Sequence, residues 1–300
     1  MKHWNYLAVN NGSMVRKWTS IALLSFIYPS LSLAGEDGFG TMCLSEGALI
    51  YAYKAAIYNP QAKTDWDKYL DDGLEKDSFQ TKDGKTIHGL VWKSADPKGY
   101  LLIAQGTSML AAEIYELFRE FRDIGLDVYL YDYCGYGESD DIETTLEGIV
   151  SDYSVRLSEL NTLPAYTRHF VFGISLGGVI FANAMKEMHG EIHGVVFDSV
   201  PHAVPWYAFC PSEIDPVTLL PDACESWLII GAERDNVIGR RASKLAKRAK
   251  EYCRAQTKIE KHFGHIFMDS RNNTRERMVA VKRHFELLSE RQTIDSQPHF

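Results

Sequence analysis

The sequence has neither a bilayer-length apolar run at its start nor an excess of positive charge. The apolar run at residues 18–28 is much shorter than the roughly 20 residues that a membrane-spanning helix needs. The formal net charge is −8 at pH 7, and no basic stripe is interleaved with aromatic residues. Because the nucleic-acid backbone repels an acidic chain, we predict no nucleic-acid partner, and we also predict no stable membrane span.

The sequence also lacks the motifs that bind nucleotides and metal ions. Gly135 and Gly137 lack the third glycine of a dinucleotide-binding loop, and no P-loop motif is present. His262 and His265 are three residues apart, but no acidic residue or cysteine stands beside them at zinc-binding spacing. We therefore predict no metal and no cofactor.

Cysteine is scarce, with five residues in the chain. Cys210 and Cys224 lie in one irregular segment, and our hypothesis is a disulfide between them, which would contribute about 3 kcal/mol on the chain-entropy model. Other pairings stay open, because connectivity cannot be read from spacing. Cys134 could be a second nucleophile, but no Cys–His signature surrounds it, so we interpret it as a small buried residue.

Residues 1–34 look like a secretory signal peptide. Two basic residues precede the apolar run, and Ser-Leu-Ala at 32–34 has the small-x-small pattern of a cleavage site. We predict cleavage after Ala34 and a secreted or periplasmic protein, with an uncleaved membrane anchor as the alternative. Cleavage would move the formal charge from −8 to −11, because the segment holds three basic and no acidic residues. Met14 would begin a signal peptide of more usual shape than Met1 does, so the translation start stays open.

Apolar strand-like runs alternate with helix-like segments along most of the chain. This alternation predicts an α/β fold with a mostly parallel, twisted sheet of about eight strands and helices on both faces. An Asp-Gly turn between the first two runs predicts an antiparallel hairpin at the start. We predict one domain over residues 35–291 and a flexible tail over 292–300. The predicted strands are 78–81, 86–92, 100–104, 127–131, 169–172, 194–197, 226–230 and 257–260, and the predicted helices are 44–58, 110–121, 145–160, 179–186, 240–255 and 275–288.

A G-x-S-x-G pentapeptide, Gly173 to Gly177, lies where a predicted strand runs into a predicted helix. A turn of this kind strains the backbone of its central serine and exposes the hydroxyl, and the flanking glycines leave room for the sharp bend. The motif alone is weak evidence, but the strand before it and the helix after it favour the interpretation. Ser175 is therefore the candidate nucleophile.

A serine nucleophile needs a base, and the base needs a carboxylate to orient it. Asp235 follows the strand at 226–230 and His265 follows the strand at 257–260. Both should therefore lie at the carboxyl edge of the sheet, where Ser175 also lies. The competing residues are Asp198 and Glu233 for the acid, and His262, His202 and His284 for the base.

On these residues and their order, the sequence resembles the α/β-hydrolase family. The turn at 135–139 (Gly-Tyr-Gly-Glu-Ser) is similar to the glycine-rich turn after the family's fourth strand, and His265 lies in a loop like its histidine loop. The resemblance implies a serine hydrolase with an oxyanion hole built from the backbone N–H groups of Leu176 and Thr107. Gln105 stands where many relatives have histidine.

The interval between the sixth and seventh predicted strands is too short for a large cap domain. It holds five prolines, and its aromatic residues Trp206, Tyr207 and Phe209 predict a compact flap with apolar surface near Ser175. The alternative is that these aromatic residues only pack against the domain. The cap-poor branch that the sequence resembles includes esterases and acyl-protein thioesterases, which implies hydrolysis of carboxylic esters or thioesters of a small or acylated substrate. The other candidates are a serine peptidase and a non-catalytic binding protein of the same fold.

Overall fold

The computed structural model describes residues 66–68, 70, 73–107, 109–140, 145–203 and 213–295. The described residues form an eight-stranded sheet in the order β1-β2-β4-β3-β5-β6-β7-β8. Its strands are β1 (Leu74–Gln80), β2 (Thr86–Trp92), β3 (Gly99–Ala104), β4 (Leu126–Tyr131), β5 (Arg168–Ile174), β6 (Gly194–Asp198), β7 (Trp227–Ala232) and β8 (Gln256–Glu260). The pairs β1–β2 and β2–β4 are antiparallel, and the other neighbouring pairs are parallel. The predicted fold, with its antiparallel opening hairpin, is confirmed.

The central strands are buried along their whole length, which explains their unbroken apolar sequences. Every residue of β3 and of β4 is buried. Successive side chains of a strand point to opposite faces, so Leu101 and Ile103 join the core on one face while Leu102 joins the core on the other. A strand covered on both faces has no polar side to alternate with.

Helices cover both faces of this sheet. The α-helices are α1 (Ala111–Ile114), α2 (Leu146–Thr162), α3 (Leu176–Glu187), α4 (Arg241–Cys253) and α5 (Arg271–Asp295), and Trp66–Lys68 and Tyr115–Ile124 are 3-10 helices. Helices α2, α3 and α4 pack against one face, while the second 3-10 helix and α5 pack against the other. Helix α5 extends four residues into the predicted tail, because it ends at Asp295.

The segment predicted as a helix over 110–121 differs from that expectation. It is α-helical only in α1, and then continues as the 3-10 helix of residues 115–124. Its apolar residues recur at every third position, so a helix with three residues per turn places them all on one side. Phe118 and Phe121 are fully buried there. The residues with this spacing are Tyr115, Phe118, Phe121 and Ile124.

The predicted disulfide between Cys210 and Cys224 is wrong, because Cys224 is bonded to Cys253, with 5.1 Å between the Cα atoms. Cys253 ends α4, and its carbonyl accepts a hydrogen bond of 2.9 Å from the backbone N–H of Cys224. The packing of α4 against the start of β7 therefore places Cys253 beside Cys224. This packing could not be predicted from the spacing of cysteines along one loop. Cys134 is buried, as interpreted, and its thiol donates to the carbonyl of Asp140 at 3.3 Å.

Several predicted features lie outside the described residues. These are the signal segment 1–34, the helix 44–58, Cys210 and the flap aromatics Trp206, Tyr207 and Phe209. In the ranges that the structure describes, no helix is both long and apolar enough to cross a membrane. The predicted domain boundaries at 34 and 291 stay predictions.

Candidate active site

Ser175 lies in the tight turn that connects β5 to α3. Its φ of 51° is positive, a strained conformation for a residue with a side chain. The turn also brings backbones close together: a Cβ atom at Gly177 would collide with the carbonyl of Ala104 at the end of β3. Glycine is required there, and the G-x-S-x-G interpretation of the sequence matches this local geometry.

Asp235 and His265 contact each other in the loops after β7 and β8. The Nδ1 atom of His265 lies 2.8 Å from Oδ2 of Asp235, and both side chains are buried. The second carboxylate oxygen, Oδ1, accepts hydrogen bonds of 2.9 Å from the backbone N–H groups of Val237 and Ile238. Burial opposes ionisation, but the His265 hydrogen bond and these two amides outweigh it and lower the pKa of Asp235. An ionised Asp235 can only accept, so Nδ1 of His265 carries the proton in this pair.

The end of β6 ties the serine turn to the histidine loop. The backbone N–H of Ser175 donates to the carbonyl of Asp198 at 2.9 Å. The next residue, Ser199, accepts the backbone N–H of Ile266 on its hydroxyl at 3.2 Å. Two consecutive residues therefore hold the turn of Ser175 and the neighbour of His265. The structure brings Ser175, Asp235 and His265 to one edge of the sheet, as the strand order predicts.

The competing acids have different environments. Asp198 is fully buried, but its carboxylate binds the guanidinium of Arg277. Glu233 is exposed. Neither residue is hydrogen-bonded to a histidine ring in the described structure, whereas Asp235 is.

The competing histidines are also placed elsewhere or engaged differently. His262 is exposed, and its ring contacts Glu276 at 3.1 Å. His284 lies on α5 and contacts the carbonyl of Ser226 at 3.0 Å. The backbone N–H of His202 donates to the carbonyl of Arg241 at 3.2 Å. His265 is the candidate base whose ring contacts a carboxylate in the buried part of this edge.

The loop after β3 lies directly against Ser175. A Cβ atom at Gly106 would be 3.5 Å from the Cβ of Ser175, so the two backbones approach closely. Gln105 is fully buried, and its Nε2 donates to the carbonyl of Tyr131 at 2.6 Å. Thr107 is buried in the same loop. Leu176 is the first residue of α3, so its backbone N–H is one of the four at the helix N-terminus that have no acceptor within the helix.

Asp132 is a further buried carboxylate at this edge, and it is not among the site residues predicted from the sequence. Its Oδ1 accepts the backbone N–H of Ala111 at 2.7 Å, which fixes the start of α1, beyond the loop of residues 105–107. Burial raises the pKa of Asp132 to about 7, against the effect of the Ala111 hydrogen bond. A carboxylate directly after a buried strand is a signal that could have identified it.

Arg277 is the second residue that sequence reasoning missed. It is fully buried on α5, and its guanidinium reaches both Asp198 and the histidine loop. The available signal was its spacing, because Arg277 precedes the buried Val281 and Phe285 by four and eight residues and so shares their face of the helix.

Comparisons with known proteins identify the family and the fold of the chain. A family model described as serine aminopeptidase, S33, matches residues 95–282, more than half of the chain. No curated protein matches the sequence. The comparisons therefore provide a family and, from solved structures, a fold.

The chain is similar to solved esterases and to other hydrolase structures. The Pyrococcus furiosus esterase Pf2001 is 17% identical with a TM-score of 0.57, and the match covers 74% of this chain and 95% of that one. Est2 of Thermogutta terrifontis is 12% identical with a TM-score of 0.57, over 71% and 91% of the two chains. DcsB, solved with a substrate analogue, is 14% identical with a TM-score of 0.57, over 71% and 98%. At these identities the likeness shows the fold alone.

Proposed function

Because the chain belongs to the α/β-hydrolase family described as serine aminopeptidase, S33, we propose that it is a serine hydrolase of carboxylic esters or thioesters. Ser175 is the nucleophile in this proposal, His265 is the general base and Asp235 orients His265. The observation that carries it is the buried hydrogen bond of 2.8 Å between His265 and Asp235, at the sheet edge where Ser175 occupies a strained turn. Nucleophilic catalysis by serine needs an exposed hydroxyl and an oriented base beside it, and these two features support those roles for Ser175 and His265.

The reaction follows from the proton positions. With Nδ1 of His265 donating to Asp235, Nε2 is left to accept the proton of the Ser175 hydroxyl as its Oγ attacks the substrate carbonyl. The imidazolium that forms is stabilised by the Asp235 carboxylate and then gives its proton to the leaving alcohol or thiol. Water, deprotonated by His265, hydrolyses the acyl-enzyme and releases the carboxylic acid and free Ser175.

We assign the oxyanion hole to the backbone N–H groups of Leu176 and Thr107. The support is the position of Leu176 at the start of α3 and the position of Gly106, next to Thr107, where an added Cβ atom would be 3.5 Å from the Cβ of Ser175. Each donor of this kind is worth roughly 3 kcal/mol of transition-state stabilisation. Gln105 supports the loop by anchoring it to the carbonyl of Tyr131.

An aminopeptidase is the second candidate, because the matching family is described by that activity. Esterases stand among the proteins of similar fold, for example Thermogutta terrifontis esterase 2, which has been solved phosphoramylated by tabun. The catalytic residues would be the same in both cases. The substrate pocket decides between an ester and an amide, so the test must include both.

The test is turnover of a substrate panel by the purified protein. The panel contains p-nitrophenyl esters of increasing acyl length, an acyl thioester and aminoacyl p-nitroanilides with a free amino group. We expect ester or thioester cleavage that is lost in Ser175→Ala and in His265→Ala. Cleavage should be kept in His262→Ala, which is the matched control for His265→Ala. Cleavage of the anilides alone would establish the peptidase, and a folded wild type that cleaves nothing would favour a binding protein.

We also propose that the protein is exported to an oxidising compartment, either the periplasm or the exterior of the cell. The support is the basic and apolar pattern before Ala34 together with the disulfide between Cys224 and Cys253, which reducing cytosol does not preserve. N-terminal sequencing of the protein from each cell fraction tests this. Export predicts a mature chain that starts at Gly35, and a full-length protein in the cytosol would contradict it.

A further inference from the structure

Arg277 makes a forked contact deep in the protein. Its side chain is fully buried, one Nη atom binds the carboxylate of Asp198, and the other donates to the carbonyl of Gly264 at 2.7 Å. The guanidinium also stacks on Phe263, with its Cζ 4.1 Å from the ring centroid. Gly264 is the residue directly before His265, so Arg277 holds the peptide bond that leads into the proposed base.

Other contacts on the histidine loop complete this support. The backbone N–H of Gly264 donates to Oδ2 of Asp269 at 2.7 Å, and Nη2 of Arg277 lies 3.5 Å from the same oxygen. On the other side of His265, the N–H of Ile266 donates to the hydroxyl of Ser199. The backbone on both sides of His265 is therefore fixed by buried or partly buried polar side chains.

The Asp198–Arg277 pair also connects to the nucleophile. The main-chain carbonyl of Asp198 accepts the N–H of Ser175 at 2.9 Å, while its carboxylate binds Arg277. We propose that Arg277 is a positioning residue that fixes the loop of His265 relative to the turn of Ser175 through its bonds to Gly264 and Asp198. This inference rests on the proposed function, in which His265 is the base.

Stability alone is a poor reason for this buried ion pair. Within the described residues, Nε of Arg277 and Oδ2 of Asp198 are buried and have no hydrogen-bond partner. Burial of two charges with incomplete hydrogen bonding is costly, and replacement by uncharged residues of similar volume is often neutral for folding. The Asp198–Arg277 pair can instead position His265 relative to Ser175. Uncharged residues of similar volume would not make the hydrogen bonds that this positioning needs.

The test compares variants that keep the fold and change this positioning. The double variant Arg277→Met with Asp198→Asn removes both charges of the fully buried pair, while the partly buried Asp269 keeps its hydrogen bonds from the backbone N–H groups of Gly264 and Ser270. Arg277→Lys keeps the positive charge, but a lysine ammonium cannot reproduce the planar, forked contact with both Asp198 and Gly264. Arg283→Met is the matched control, because Arg283 lies on the same helix with an exposed side chain. Cooperative unfolding of each variant is checked first, and Arg277→Lys provides the test if the double variant does not fold.

Two measurements are made on each variant: kcat and KM with the best substrate, and the low-field proton resonance of the His265–Asp235 hydrogen bond. In the double variant we expect kcat to fall roughly 10- to 100-fold, as for a misplacement of about 1 Å, with KM changed less than twofold. We expect the resonance to broaden or disappear. Arg277→Lys should be intermediate and Arg283→Met should match the wild type.

Unchanged kcat and an unchanged resonance in the double variant would overturn the inference. A wild type without the resonance would also overturn it, because Arg277 would then have no fixed hydrogen bond to maintain. If the wild type turns over no substrate, the proposed function fails separately. In that case a resonance present in the wild type and lost in the double variant still supports the positioning role, and a resonance kept in both overturns it.

Discussion

Two buried aspartates stand at the ends of neighbouring strands, and they have different partners. Asp198 ends β6 and binds Arg277, while Asp235 follows β7 and binds His265. Arginine stays protonated in proteins, so the first pair can only fix the positions of its neighbours, whereas the second pair contains an imidazole, the side chain that most often transfers protons in catalysis. Both carboxylates lie at the site because their strands end at the same edge of the sheet. Their chemistry differs because Arg277 comes from α5 and His265 comes from the loop after β8.

The largest expected difference between the two aspartates is in catalysis. Asp235→Asn should lower kcat by about 10⁴-fold, because an amide favours the wrong tautomer of His265. Asp198→Asn leaves the His265–Asp235 pair in place, and we expect a loss of about tenfold or less. The measurement is kcat of both variants with one activated ester. A greater loss in Asp198→Asn than in Asp235→Asn would reverse the assignment of the acid.

Stability should show the opposite order. Asp198→Asn removes the nearer carboxylate from the buried guanidinium of Arg277 and leaves only the longer contact of 3.5 Å to Asp269. Breaking a buried ion pair in this way should lower the free energy of unfolding by about 3 kcal/mol. Asp235→Asn leaves a histidine that can stay neutral, so its loss should be smaller. Urea unfolding of both variants at pH 7 gives the comparison, and equal losses would show that the two pairs are structurally equivalent.

Asp132 extends the comparison to a carboxylate with no cationic partner in the described structure. Burial raises its pKa from 3.8 to about 7, a change equivalent to about 4 kcal/mol. The folded state then holds this proton more tightly than the unfolded state, so its contribution to stability is complete below pH 3.8 and is lost as the pH rises through 7.

Asp132→Asn should remove this pH dependence. The stability of the variant relative to the wild type should therefore rise between pH 4 and pH 8, by up to about 4 kcal/mol. Unfolding of both proteins in urea over this pH range measures the difference. A difference that does not vary with pH would show that Asp132 is ionised throughout.

Removal of the disulfide should lower the free energy of unfolding without disturbing either aspartate pair. Cys224 and Cys253 are 29 residues apart, so Cys224→Ser with Cys253→Ser should cost roughly 3–4 kcal/mol on the chain-entropy model. The bond lies at the start of β7, away from Asp235 at its end, and kcat below the unfolding temperature should change little. A large fall in kcat in the folded variant would mean that stability and positioning at this edge are coupled.

The pattern of the sequence predicts the sheet and the strand ends well, because each depends on local periodicity and on one rule of topology. All eight predicted strands are confirmed, and Ser175, Asp235 and His265 lie at the same edge of the sheet because parallel strands present their carboxyl ends on one edge. The partner of Cys224 and the partner of Asp198 could not be predicted in this way. Both come from helices far along the chain, whose docking depends on packing.

The 3-10 helix shows a different limit. Tyr115, Phe118 and Phe121 repeat every three residues, a spacing that lies close enough to the α-helical period to be taken for it. Arg277 illustrates a signal that the sequence does contain. It is a charged residue at helical spacing from the buried Val281 and Phe285, and this spacing indicates a buried side chain.

The central claim is that the His265–Asp235 pair activates Ser175, and labelling with a fluorophosphonate probe tests it most directly. The account predicts that the wild type is labelled at Ser175, that Ser175→Ala and His265→Ala are not labelled, and that His262→Ala is labelled like the wild type. A folded wild type that takes no label, or takes it on another residue, would contradict the account.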